Sequence, residues 1–113
     1  MMAALMGLRT IAPRALDELR MAGAVDVYDV NPRGSWLAAH VPGARPLDHE
    51  RMTAADLPAD RARPLVFYCS NPLCRKAPFA AKRALAWGHT DVRVLSAGIA
   101  GWRAAGLPVE AGE

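Results

Sequence analysis

Three short apolar runs, separated by helical segments, constrain the fold of this chain more than any other feature. They cover residues 25–30, 64–68 and 91–95 and are rich in β-branched and aromatic side chains, which is typical of buried strands. An alanine-rich segment at residues 78–87, bounded by Pro and Gly, has the character of a helix. Strands that alternate with helices predict a parallel sheet with helices on both faces. The predicted fold class is therefore α/β.

The remaining segments are assigned by apolar spacing and by Pro and Gly at their ends. Further helices are predicted at residues 14–20, 34–39 and 99–105, with one helical turn at 53–57 and a short extended piece at 44–47. A chain of 113 residues is long enough for one core and too short to divide. We expect a single domain over residues 1–113. The apolar start, residues 1–8, could pack onto this domain, mediate self-association or stay mobile.

Composition limits the classes of binding partner and the cellular compartment that we expect for this chain. Fourteen Lys and Arg against eleven Asp and Glu give a formal net charge of +3, which suits small anions without demanding nucleic acid. No stretch approaches the ~20 apolar residues of a membrane span, so we expect no membrane partner. Two cysteines in one loop cannot form a long-range disulfide framework, and this favours the cytoplasm. The loop lacks a Cys-x-x-Cys motif and the histidines are scattered, so neither a metal site nor a cofactor is predicted.

The second apolar run ends at a cysteine. Cys69 follows it directly, and after a short loop come two cations, Arg75 and Lys76. Ligands of parallel sheets bind beyond the carboxyl ends of the strands, and a helix that begins near Pro78 would direct amide groups and its positive dipole end at the sulfur. That field favours the thiolate, the reactive form of cysteine. The sequence predicts a cysteine nucleophile in an anion-binding loop; the alternative is a structural cysteine in a protein without catalysis.

Several segments, taken in order, resemble the rhodanese-like family. They are Asp29-Val30, His40-Val41-Pro42-Gly43-Ala44, the Cys69 loop, Ala97-Gly98-Ile99-Ala100-Gly101-Trp102 and Gly106-Leu107-Pro108-Val109. Together they extend over about residues 11–109. The resemblance implies a rhodanese-like three-layer fold with a central parallel β-sheet flanked by helices. It also implies that Cys69 carries a persulfide during sulfur transfer.

The chain departs from the family pattern most clearly in the loop. Five residues separate Cys69 from Arg75, whereas the loop of ordinary sulfurtransferases in this family is typically one residue shorter. Cys-x5-Arg is also the spacing of dual-specificity phosphatases and arsenate reductases built on this fold, so a wider loop could admit a tetrahedral oxyanion. Other departures are Asn31, Ser35, Ala39 and Ala97, where the family often has Arg, Glu, Gly and Gly.

Sulfur transfer requires a thiolate and an anion cradle. The Cys69 thiolate would attack the outer sulfur of a small anionic donor such as thiosulfate, release sulfite and hold a persulfide until cyanide, a thiol or a protein acceptor takes it. The cradle is predicted from the loop amides, with positive charge from the two cations; its residues are Ser70, Asn71, Leu73, Cys74, Arg75 and Lys76.

Phosphatase or arsenate reductase chemistry would use the same groups but also needs a general acid. The segment between Cys69 and Pro78 contains no Asp, Glu or His, so sulfur transfer is the leading interpretation. A third possibility is a non-catalytic binding or regulatory domain that responds to sulfur or redox state through Cys69.

The roles of six further side chains remain to be assigned. Cys74 could accept the persulfide sulfur or close a reversible disulfide with Cys69, but an inert buried thiol is favoured because disulfide geometry across a tight loop is demanding. His40 and Asp29 are predicted to be structural hydrogen-bonding residues. The three tryptophans, Trp36, Trp87 and Trp102, are expected in the core.

Overall fold

A five-stranded parallel sheet organises the chain in a computed structural model, which describes residues 2–113. The strands are β1 (Arg9–Thr10), β2 (Asp26–Asp29), β3 (Arg45–Pro46), β4 (Leu65–Tyr68) and β5 (Val92–Val94). Their order in the sheet is β1-β5-β4-β2-β3, and each neighbouring pair is parallel. The predicted α/β class is confirmed, and β4 is the central strand.

The helices cover both faces of this sheet. They are α1 (Met2–Leu5), α2 (Pro13–Met21), α3 (Arg33–Ala38), α4 (Lys76–Ala86) and α5 (Gly98–Ala104), with a 3-10 turn at Ala54–Asp56. One apolar cluster joins α1 and α4 to the sheet, and a second joins α2 and α5 to the opposite face. Among residues 2–113, no helix combines the length and the apolar content needed to cross a membrane.

Strand β4 shows why the two faces are buried together. Its four residues are all buried; Leu65 and Phe67 belong to the cluster under α1 and α4, whereas Val66 and Tyr68 belong to the cluster under α2 and α5. Successive side chains of a strand point to opposite faces, so a strand covered on both sides is apolar throughout. The continuous run seen in the sequence is the signature of this arrangement.

Two elements near the start of the chain were not predicted. Residues 2–5 form α1, whose Ala3 is buried against α4 and the sheet, so the described part of the apolar start packs onto the domain. Strand β1 pairs with β5 through only two residues, both exposed. A strand this short carries no side-chain periodicity, and the sequence pattern therefore gave no sign of it.

The predicted structural side chains contact backbone groups or pack in the core. His40 Nδ1 lies 2.6 Å from the carbonyl oxygen of Trp36, and Asp29 Oδ1 accepts a hydrogen bond of 2.8 Å from the Asn31 amide. Trp36 and Trp102 are buried, and Trp87 is partly buried against the cluster under α4. These observations confirm the predicted structural positions.

Helix α4 packs on the sheet mainly through alanine side chains. Ala77, Ala80, Ala81 and Ala84 recur at helical spacing and are all buried, so the helix can approach the strands closely. This close packing fixes where the first turn of α4 lies relative to the end of β4.

We expect Ala81→Leu to lower the free energy of unfolding by about 1–3 kcal/mol, because the larger side chain must displace α4 from the sheet. Ala86→Leu, on the same helix but exposed, is the matched control and should change stability by less than about 0.5 kcal/mol. Urea unfolding of both variants measures the difference. Similar effects from the two substitutions would contradict the packing described here.

Candidate functional site

Strand β4 delivers Cys69 to the carboxyl edge of the sheet, at its centre. The loop continues to Arg75, and α4 begins at Lys76. The predicted start near Pro78 is two residues too late. Pro78 occupies the third position of α4. Proline is tolerated there, since the first amides of a helix have no partner within the helix.

Asn71 organises the loop. Its side-chain Oδ1 accepts a hydrogen bond of 3.0 Å from the Leu73 amide, and its carbonyl oxygen accepts one of 3.2 Å from the Cys74 amide. Both hydrogen bonds fold the chain back on itself, in the manner of an Asx-turn. In this conformation the Leu73 and Cys74 amides therefore donate within the loop, and their part in an anion cradle stays a prediction.

Other backbone amides in the loop and in the first turn of α4 are not engaged in hydrogen bonds. Within residues 2–113, five of them donate no hydrogen bond: Ser70, Asn71, Arg75, Lys76 and Ala77. Four of these residues belong to the predicted cradle, although Lys76 was included for its charge rather than its amide. Ala77, in the first turn of α4, was not predicted. Unpaired amides at a helix N-terminus attract anions.

Cys69 and Cys74 are joined by a disulfide, with their Cα atoms 6.4 Å apart. This distance lies within the range that a disulfide spans without backbone displacement. The inert thiol favoured for Cys74 is therefore wrong. The turn at Asn71 brings Cys74 back to Cys69, and sequence spacing alone did not reveal that turn.

The disulfide-bonded site is closed. Cys69 is only 3% exposed and belongs to the apolar cluster that contains Ala3, Ala77 and Val94. The cavity beside the two sulfurs has a volume of about 10 Å³, at the lower limit for a single water molecule. Thiosulfate cannot enter this cavity. Because its sulfur is bonded to that of Cys74, Cys69 is not available as a nucleophile in this oxidised form.

Helix α5 holds the loop from one side. The amides of Ile99 and Ala100 donate hydrogen bonds of 2.9 and 3.1 Å to the carbonyl oxygens of Cys69 and Ser70. Gly98 permits this approach: its φ is +66°, and a Cβ atom there would lie 2.6 Å from backbone atoms of the loop. Glycine is thus required both for the backbone conformation and for the contact.

The end of β2 holds the loop from the other side. Ser70 Oγ donates a hydrogen bond of 2.7 Å to Asn31 Oδ1, and the Asn31 amide is held by the buried carboxyl of Asp29. Burial raises the pKa of the Asp29 carboxyl above its usual value, although Tyr68 and Asn31 act in the opposite direction. Asn31 was noted in the sequence only as a departure from the family, and its positioning contact was missed.

A groove of about 430 Å³ lies next to this contact. Lys76 is on its wall, and its other lining residues include both apolar and charged side chains: Val30, Asn31, Pro32, Arg33, Pro46, Leu47, Asp48, His49 and Glu50. Arg75 is exposed at the end of the loop. Within the described chain neither Arg75 nor Lys76 pairs with a carboxylate.

Comparison with known proteins agrees with this geometry. The model of the rhodanese-like domain matches residues 12–105. The chain belongs to the rhodanese-like domain family. The match covers every strand from β2 to β5 and the whole cysteine loop, and it confirms the family resemblance seen in the sequence.

Relatives and solved structures show how far the likeness extends. The chain is 39% identical over 95 residues to the HTH-type transcriptional regulator Rv0324 of Mycobacterium tuberculosis, covering 82% of this chain and 41% of the regulator. The chain thus spans about half the length of the curated relatives it matches. The thiosulfate sulfurtransferase of Pseudomonas aeruginosa is 29% identical with a TM-score of 0.79, covering 94% of this chain and 20% of that one.

A further structure, the BH2092 protein of Bacillus halodurans, has a TM-score of 0.82 at 23% identity, covering 91% of this chain and 77% of that one. This likeness shows the fold alone.

Gly98→Ala should lower the free energy of unfolding by about 3 kcal/mol or more, because the loop must move in addition to the strain at positive φ. Gly106→Ala is the matched control: its φ is +76° and nothing lies within 4 Å of the added atom, so only the strain of about 1–2 kcal/mol applies. Urea unfolding checks both. Equal losses would mean that Gly98 does not hold the loop.

Asp29→Asn should remove a pH dependence of stability. Because the folded pKa of Asp29 is raised, its contribution is fully present below the unfolded pKa of about 4 and is lost as the pH rises through the folded pKa. The stability of the natural protein relative to the variant should therefore fall from acidic to neutral pH. Unfolding titrations across this range test it; a constant or rising difference would disprove the assignment.

Proposed function

We propose that this protein is a sulfurtransferase that carries sulfane sulfur on Cys69 as a persulfide. The observation that carries the proposal is the position of Cys69 at the end of the central strand, beside the first turn of α4. The unpaired amides of Ser70, Asn71, Arg75, Lys76 and Ala77 surround this position in the sequence. They supply hydrogen-bond donors for an anion.

The reaction starts from the reduced protein. The Cys69 thiolate attacks the outer sulfur of thiosulfate; the sulfur–sulfur bond of the donor breaks, and sulfite leaves with its electron pair. The terminal persulfide sulfur carries negative charge, which the free amides and the charge of Arg75 and Lys76 stabilise. Cyanide, a thiol or a protein acceptor then takes this sulfur. The proposed location is the cytoplasm, where reducing conditions open the disulfide.

Similarity supports the same chemistry. The structure from Pseudomonas aeruginosa is a thiosulfate sulfurtransferase, and one part of it shares the fold at 29% identity. That protein is much longer, since the match covers 20% of it. The donor and acceptor proposed here are therefore classes, a small anionic sulfur compound and a thiol or cyanide.

Oxyanion chemistry has less support. A phosphatase or arsenate reductase needs an acid to protonate its leaving group. Asp29 is fully buried and its Oδ1 accepts the Asn31 amide, so it is not placed to reach a substrate. Two exposed carboxylates, Asp48 and Glu50, line the groove at Lys76.

A regulatory role is the second candidate. The observation that favours it is the 39% identity to a transcriptional regulator of which this chain spans 41%. In such a role, formation of the Cys69–Cys74 disulfide would report the redox or sulfur state to a partner, and no turnover would be needed.

The test uses intact-mass analysis of protein that has been reduced with a dithiol and desalted. Cys74→Ser should gain one sulfur atom on treatment with thiosulfate, and cyanide should then release thiocyanate. Cys69→Ser is the matched control and should gain nothing. Two added oxygen atoms have nearly the same mass, but a persulfide is removed by a dithiol, whereas a sulfinic acid is not.

Turnover of an aryl phosphate without any sulfur adduct would establish the oxyanion alternative. If Cys69 alkylates readily, yet neither thiosulfate nor the aryl phosphate reacts, sulfur transfer is disproved and the regulatory role remains.

A further inference from the structure

We propose that Cys74 is a resolving thiol that turns the Cys69 persulfide into free sulfide, so that the protein acts as a dithiol-dependent thiosulfate reductase. This inference rests on the proposed sulfurtransferase function and adds a second catalytic residue to it. The observation behind it is the disulfide between these two cysteines. That disulfide is the product which such a step would leave.

Contact and orientation favour the step. The loop places the Cys74 sulfur within bonding reach of the Cys69 sulfur. The Cα atoms of the two residues are 6.4 Å apart, which lies within the ordinary range for disulfides. The turn at Asn71, with its two hydrogen bonds to the Leu73 and Cys74 amides, maintains this placement. A thiol held next to its target reacts far faster than one arriving from solution.

Burial gives the internal thiol a further advantage. Cys69 is 3% exposed, so a bulky external thiol has poor access to its inner sulfur atom. Cys74 is half-buried and immediately precedes Arg75, the N-cap of α4. The field at a helix N-terminus favours thiolate over thiol.

Atoms and electrons balance in this step. A proton from solvent first converts the anionic terminal sulfur of the persulfide to its SH form. The Cys74 thiolate then attacks the Cys69 Sγ atom; a bond forms between the two cysteine sulfurs, the bond to the outer sulfur breaks, and that sulfur leaves with its proton as hydrosulfide. The two cysteines are oxidised by two electrons, and the sulfane sulfur is reduced to sulfide by the same two electrons.

An external dithiol completes the cycle. It attacks the more exposed sulfur, that of Cys74, and displaces the Cys69 thiolate, which can react again with thiosulfate. Overall, thiosulfate and a dithiol become sulfite, sulfide and the oxidised dithiol. The half-exposed position of Cys74 and the burial of Cys69 set this direction of attack.

The experiment is a single turnover of the reduced, desalted protein with thiosulfate and no other thiol. The natural protein should release one sulfide per chain, measured colorimetrically, and its mass should lose the two thiol hydrogens as the disulfide forms. Cys74→Ser should hold the added sulfur and release at least about tenfold less sulfide. The same variant should still give thiocyanate with cyanide, which shows that its loop is intact.

The outcomes separate this inference from the function on which it rests. If Cys74→Ser gains sulfur but the natural protein holds its persulfide equally well and releases no sulfide, the resolving role is overturned and sulfur transfer stands. Equal sulfide release from both proteins also overturns it. If Cys74→Ser gains no sulfur from thiosulfate and the natural protein releases neither sulfide nor, with cyanide, thiocyanate, sulfur transfer itself fails.

Discussion

The backbone of the cysteine loop is fixed by hydrogen bonds from outside the loop, and the chemistry of the site depends on this constraint. The amides of Ile99 and Ala100 bind the carbonyl oxygens of Cys69 and Ser70, and these bonds require the close approach that Gly98 allows. The carbonyl oxygens of Cys69 and Ser70 are bound by α5, while the amides of Ser70, Asn71 and Arg75 remain free for other partners. The arrangement therefore separates acceptors, which are satisfied by the fold, from donors, which an anion can use.

The same fold couples the loop to the sheet through a buried carboxyl. Asp29 holds the Asn31 amide, and Asn31 in turn accepts the Ser70 hydroxyl. Burial raises the pKa of Asp29, so the buried carboxyl lowers the free energy of unfolding near neutral pH. A protein that keeps a costly buried carboxyl at the end of β2 gains a fixed position for Ser70, next to the groove lined by Lys76.

Sequence patterns predicted the elements whose apolar side chains recur at regular spacing. They did not predict structural features that depend on one or two hydrogen bonds. The run at β4 and the alanine face of α4 carry strong periodic signals, and both elements were found where they were expected. The two-residue strand β1 and the contact of Asn31 with Ser70 have no such signal, because each rests on one or two backbone or side-chain hydrogen bonds. The disulfide was considered from the sequence but not favoured, because it follows from the turn at Asn71, whose two hydrogen bonds leave no periodic signal.

The length of the loop has a physical consequence for the choice between oxyanion and sulfur chemistry. Five residues between Cys69 and Arg75 indicated space for a tetrahedral anion, yet in this structure the added length is used to turn the chain at Asn71 and return Cys74 to Cys69. A second thiol in contact with the nucleophile is not required for phosphoryl transfer, whereas reduction of arsenate consumes two electrons that a pair of thiols can supply. A second thiol is also useful in sulfur transfer, where the same disulfide is the by-product of releasing sulfide. The added length of the loop therefore accounts for the contact between the two cysteines and does not by itself indicate a larger substrate.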